Sequence, residues 1–156
     1  MTETSEVDGG RQKVAALRHG TVVDHLNAGT ALKALEVLGM PVDGPALLGI
    51  HLRSEKFERK DIVKISGVEI GEDDIAKLAL FGPCVTVSYI RDYAVHHKVR
   101  AELPDTIHGL LQCPNPNCIT RHEQVTTRFV VRRRTPLQLR CHYCERSLLE
   151  DEIRFV

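Results

Sequence analysis

The chain has 156 residues, too many for one minimal domain and too few for two of average size, so it allows one domain with an appendage or two small domains. Its 21 basic and 21 acidic side chains cancel, which excludes a global field drawing it onto DNA or a membrane. Tryptophan is absent and aromatic residues are only 4%, which argues against a base-stacking platform for single-stranded nucleic acid.

Residues 1–11 are polar and acidic and read as a flexible tail, without the basic start and apolar stretch of a signal peptide. No apolar run approaches the roughly 20 residues a membrane-spanning helix needs, so a cytoplasmic protein is expected. Reducing conditions there turn paired cysteines toward metal rather than disulfides. GTVVDHL (20–26), with β-branched residues at its centre, predicts a strand. In NAGTALKALEVLGM (27–40), Ala31, Leu35 and Leu38 recur on one helical face before Gly39 and Pro41 stop the helix. ALLGIHLRS (46–54) and RKDIVKISG (59–67) predict two strands joined as a hairpin. GEDDIAKLALFG (71–82) places acidic residues in its first turn, as the helix dipole favours, and sets Ile75, Leu78 and Ala79 on one face. CVTVSYIRDYAVHHKV (84–99) alternates and supplies a fourth strand and a short fifth. The order βαββαβ is the ferredoxin-like pattern, so the fold class is α+β.

Pro104 marks a break. Beyond it, residues 105–156 show only short strand signals, IHGLLQC, TTRFVVRRR, LQLRC and SLLEDEI, and make a small all-β domain too short to rely on apolar burial alone. Cys113-x4-Cys118 and Cys141-x2-Cys144 put two sulfurs on each of two tight turns, and four thiolates complete the tetrahedron Zn²⁺ accepts. One structural zinc per chain is expected. A catalytic zinc needs an open position, which a fourth thiolate removes. Arg140, rather than proline, precedes Cys141, so the zinc deaminase signature is not met. His122 and His142 read as loop residues near the sulfurs, and Cys84 as a small core side chain.

Arg132, Arg133 and Arg134 suggest nucleic acid, but alternation along a strand splits them between two faces. In the first domain, Lys60, Ile62 and Lys64 share one strand face, where two ammonium groups can straddle a triphosphate. Lys98 ends a neighbouring strand, and Asp24 offers a carboxylate to ribose or base. No phosphate-binding glycine loop, nucleophile elbow or metalloprotease motif is present, so no catalytic residue is assigned. Two rival readings remain: a zinc-ribbon nucleic-acid binder, and a small enzyme using Asp24, His25 and the lysines for acid-base chemistry.

The segments RHGTVVDHL, RKDIVKI, LALFGPCVTVSYI, CPNPNCIT and LRCHYCE, in this order and spacing, resemble the regulatory chain of aspartate carbamoyltransferase, from about residue 12 to the end. The resemblance implies an allosteric nucleotide-binding domain over 12–104 and a zinc domain over 105–156 that contacts a catalytic chain. It further implies a regulatory-chain homodimer, two catalytic trimers joined into a dodecamer of the pyrimidine pathway, and no nucleic-acid or membrane partner. CTP would inhibit and ATP activate, with UTP a further candidate ligand. On matching positions Asp24, Lys64 and Lys98 contact base, ribose and phosphates, while Val14, Leu17, Val22, Lys60, Ile62, Ile90, Tyr93 and Val95 wall the site. Ser88 stands where the family commonly has asparagine, and its shorter reach weakens any contact there.

Overall fold

The computed structural model describes residues 16–39 and 44–156, in two antiparallel sheets. The first contains β1 (Gly20–Asn27), β2 (Ala46–Arg53), β3 (Arg59–Ser66), β4 (Thr86–Arg91) and β5 (Ala94–Arg100), in the order β2-β3-β1-β4-β5. This is the expected ferredoxin-like sheet with β5 added at its edge as a full strand. Arg91 and Ala94 close the β4–β5 hairpin, with Asp92 and Tyr93 both at positive φ (48° and 65°), the backbone that matches a two-residue turn to strand twist.

Two short helices, α1 (Ala31–Val37) and α2 (Glu72–Leu78), cover one face of this sheet. Alternation along the strands sends Val23, Val63, Ile65 and Val87 toward Ala31, Ala34, Ile75 and Leu78, and this is the first core. The opposite face carries Val22, Lys60, Lys64, Ser88 and Lys98, and neither helix lies on it.

α1 starts four residues later than its apolar spacing predicts. The carbonyl of Asn27 accepts from the Thr30 N–H at 3.2 Å and the Thr30 hydroxyl at 2.7 Å, and Gly29 adopts φ 86°, so residues 27–30 form a turn. The fully buried Asp61 then fixes the helix. One carboxylate oxygen accepts from the Ala31 N–H at 3.0 Å, the other from the His51 N–H at 2.9 Å in the irregular part of β2. An anion at a helix start is also favoured by the helix dipole.

The second sheet, β6 (Thr106–His108), β7 (Arg128–Arg134), β8 (Leu137–Cys141) and β9 (Ser147–Leu149), runs in chain order. Its core joins Ile107, Leu111, Phe129, Leu139 and Leu148 to Cys113, Cys118 and Cys141. The chain end returns to bind both domains. Phe155 bridges to Leu111, stacks on Phe81 at 5.3 Å between ring centroids, and carries the Lys33 ammonium over its ring at 5.6 Å.

Asp61→Ala strips two buried backbone donors of a charged acceptor, so it should cost about 3 kcal/mol or more, read as a lowered urea midpoint with unchanged slope. A midpoint within experimental error of wild type would show that the carboxylate does not hold α1.

Candidate functional site

The register of the first sheet sets Lys64, Val22, Ser88 and Lys98 in a single row across four strands: Val22 pairs with Lys64 on one side and Ser88 on the other, and Ser88 pairs with Lys98. Pairing partners lie about 5 Å apart, so the two ammonium groups flank the small Val22 and Ser88. Beside this row, β1 bulges between Val23 and Leu26, with His25 at φ 62°. The Asp24 carboxylate there takes the His25 N–H at 2.6 Å and pairs with the Lys60 ammonium at 2.8 Å. That pair is largely sheltered, with 19% of the Lys60 side chain and 26% of the Asp24 side chain exposed. It is therefore screened less than a surface pair.

The bulge also aims His25 across the sheet, where Nδ1 lies 3.1 Å from the Thr86 hydroxyl. Burial lowers the His25 pKa. Asp24 partly offsets the shift, and Lys60, Lys98 and Lys56 add to it. Burial likewise lowers the Lys64 pKa, against the pull of Asp24. Three ammonium groups against one carboxylate leave this face cationic, a setting suited to a polyanion.

Among the other expected residues, Ile62 and Ile90 are buried on the same side of the sheet. Leu17 is half-buried ahead of β1, and the Arg18 carbonyl ties that segment to the hairpin by accepting from the Tyr93 N–H at 3.1 Å. Tyr93 and Val95 are exposed at the rim, with 67% and 59% accessible, rather than forming a closed wall. Val14 lies outside the described residues. Sequence reasoning did not single out Thr86; its position opposite Asp24 follows from register, which no local motif encodes.

The four cysteines of the second domain converge. All sulfurs lie within 4.8 Å of one another, with Cys113–Cys144 at 3.6 Å and Cys118–Cys141 at 3.8 Å. A tetrahedron with Zn–S of about 2.3 Å has edges of about 3.8 Å, so the donor set fits one zinc ion. The chelating turn is held by Asn115, whose side chain accepts from the Asn117 N–H at 3.0 Å and whose carbonyl accepts from the Cys118 N–H at 3.1 Å. Burial pushes the Cys113 and Cys141 thiols upward. Burial acts the same way on Cys144, but the Asn115 side chain and the Arg146 backbone outweigh it and bring that thiol down to about 7. A divalent cation binding here displaces the remaining thiol protons, so metal affinity depends on pH. With four protein sulfurs the centre is closed and structural.

His122 and His142 are exposed, and the His122 ring reaches the Pro116 carbonyl at 2.7 Å rather than the sulfurs. Cys84 is only half-buried, not the core side chain its apolar context predicts, and lies 3.6 Å from the Arg100 guanidinium. The arginine run divides: Arg134 folds back on the Leu103 carbonyl and the Asp105 carboxylate, and a register shift precedes Arg133.

The fold and site define a two-sheet α+β protein whose closed four-thiol centre serves structure and not catalysis at the metal. Residues 12–102 match the family model of the aspartate carbamoyltransferase regulatory chain, allosteric domain, and residues 105–154 match that of its metal binding domain. The chain is 48% identical over 143 residues to the aspartate carbamoyltransferase regulatory chain of Thermococcus kodakarensis, covering 90% of this chain and 94% of the relative. To that of Pyrococcus abyssi it is 51% identical over 144 residues (90% and 95%), and to that of Methanocaldococcus jannaschii 42% over 138 residues (88% and 93%). The chain belongs to the aspartate carbamoyltransferase regulatory chain family, and is a regulatory, non-catalytic chain.

Zinc analysis should find one equivalent per chain. Cys118→Ser should lose it, and amide protection across β6–β9 should collapse while β1, β3 and β4 keep theirs in hydrogen exchange. A stoichiometric zinc surviving in that variant would contradict the four-sulfur assignment.

Proposed function

We propose that this chain senses nucleoside triphosphates on the open face of its first sheet and joins catalytic trimers of aspartate carbamoyltransferase through its metal domain. The observation that carries the first half is the row Lys64–Val22–Ser88–Lys98 flanked by the Asp24–Lys60 pair. In this reading Lys64 and Lys98 hold the phosphates common to CTP and ATP, and to UTP if it binds. Asp24, released in part from Lys60, accepts from base or ribose. Val22, Ile62 and Ile90 supply the apolar floor, Lys60 and Ser88 the polar flank, and Leu17, Tyr93 and Val95 the rim, with Val14 beside them. CTP inhibits and ATP activates because their bases favour different assembly states.

The second half is supported by the exposed apolar and basic side chains on the zinc loops, Ile119, Arg121 and Tyr143, which the closed centre holds rigid. A homodimer is supported by β2, an edge strand that leaves Leu47 and Ile50 exposed by 42% and 48%. Such an edge offers unpaired backbone groups to a second copy. The chain then works in the cytoplasm, with catalytic chains and nucleotides rather than nucleic acid or membrane as its partners.

Lys64→Ala should weaken CTP and ATP alike, by about tenfold or more for a lost charge-assisted phosphate contact. Calorimetric titration that shows only one nucleotide affected would refute the shared-phosphate role. Native mass spectrometry should read the chain alone as a dimer, and mixed with its catalytic trimers as an assembly of six regulatory and six catalytic chains. Chelation should abolish that assembly, and a metal-stripped chain that still joined the trimers would overturn the docking role.

A further inference from the structure

A cleft of about 680 Å³ lies between the two domains, and neither the row of Lys64, Val22, Ser88 and Lys98 nor the four cysteines line it. Its apolar lining comes from Ala79, Leu80 and Pro83 of the first domain and Pro136 and Leu137 of the second, with Leu103 of the connecting segment between them, and polar groups of Arg100, Glu102, Arg134 and Glu150 complete it. The volume is in the range of small-molecule sites, which favour domain boundaries and pair an apolar lining with a few polar groups.

Two of the four charged groups at its edge are already engaged. Arg134 is tied to Asp105, and the Glu150 carboxylate takes the Asn27 amide at 2.9 Å across the domain boundary. Arg100 differs. Its guanidinium is oriented by donating to the Pro83 carbonyl at 3.1 Å, yet among the described residues no carboxylate pairs with it. An aimed guanidinium beside an apolar floor matches a carboxylate group carried on a hydrophobic body. Glu102, two residues further and also without an ion-pair partner among the described residues, repels a second negative group. The cleft therefore selects a monoanion and disfavours polyphosphates.

We propose that this cleft binds a small apolar monocarboxylate, aromatic or branched, with its carboxylate on Arg100 and its body against Leu80, Leu103 and Leu137. Such a ligand touches both domains at once and so fixes their relative orientation. It also reaches the proposed nucleotide face through the sheet. Arg100 pairs with Thr86 and Thr86 with Asp24, so one cross-strand row joins the cleft to the Asp24–Lys60 pair. Bound at the end of that row, the monocarboxylate would act on the domain boundary without competing for the phosphate-binding lysines.

The test uses the zinc-loaded full chain with naphthalene-2-carboxylate as probe and 2-naphthalenemethanol as its uncharged counterpart, followed by methyl-resolved NMR. Saturable shifts confined to the methyl groups of Leu80, Leu103 and Leu137 are expected. The neutral probe, and the acid with Arg100→Gln, should each bind at least about tenfold more weakly. Arg100→Lys should restore part of the affinity. Equal binding of acid and alcohol in the wild-type chain would overturn the proposal even if the variants misfold. So would the absence of saturable shifts at millimolar probe, or shifts centred on Val22, Ile62 and Ile90. A parallel CTP titration reports on the sheet face alone, so failure of either site is read separately from the other.

Discussion

Four sulfurs gathered around one point are the constraint on which the second half of the molecule depends. Cys113, Cys118 and Cys141 are buried to within 1% exposure, in contact with Phe129, Leu139 and Leu148. Without a cation they are thiols crowded in a small core, and for Cys113 and Cys141 burial opposes ionisation. With a cation the four cysteines, Cys144 included, supply four bonds that join the Cys113–Cys118 turn to the β8–β9 turn. A domain of about 50 residues buries too little surface to dispense with such a clip. The free energy of metal binding is thus largely the folding free energy of this sheet.

That rigidity reaches the first domain through a narrow set of contacts. Leu103 and Phe155 pack against both hydrophobic clusters, and Leu80 leaves the end of α2 to join the second. Phe155 is placed by the second domain, since the flanking Arg154 carbonyl and Val156 N–H bond to Gln112 and Leu110. Its ring nevertheless lies on Phe81 of the first. The chain end is therefore held by one sheet and packed into the other, so displacement of either domain strains the same side chain.

The cysteine spacing, the strand alternation and the two helices were legible in the sequence because each is a local pattern read by one physical rule. What escaped it depends on pairing across the chain. The helix predicted over 27–40 lost its first turn to Asn27, which the periodicity cannot distinguish from a helical residue but which ends β1 and accepts the Thr30 hydroxyl on its carbonyl. Asp61 reads as one more charge between lysines, and only the approach of α1 and β2 shows that it is a buried acceptor. Among the candidate site residues, Lys60, Ile62 and Lys64 could be placed on one face from spacing alone. Their alignment with Val22, Ser88 and Lys98 could not, because register is set by the whole sheet. Tyr93 and Val95, carried over from a resemblance, sit at an exposed hairpin whose turn residues demand positive φ.

The cationic face poses a particular electrostatic problem. Lys60 and Lys64 on β3 and Lys98 on β5 gather positive charge on one face, and burial lowers the Lys64 pKa against the pull of Asp24. Asp24 cannot serve all three, and its close contact is with Lys60 at 2.8 Å. The proposed triphosphate would resolve the imbalance by supplying negative charge at the row of Lys64 and Lys98, leaving Asp24 to whatever base or sugar lies over the bulge. On that proposal affinity and discrimination reside in different groups on one face: the phosphate attraction is common to all triphosphates, and the bulge region reads what distinguishes them. Two nucleotides that share a site can have opposite effects only through that second part, because an equal contribution in both assembly states shifts no equilibrium. In the proposed reading, opposing regulation therefore resides at the bulge of Asp24 and His25, and the affinity common to both nucleotides at the lysines.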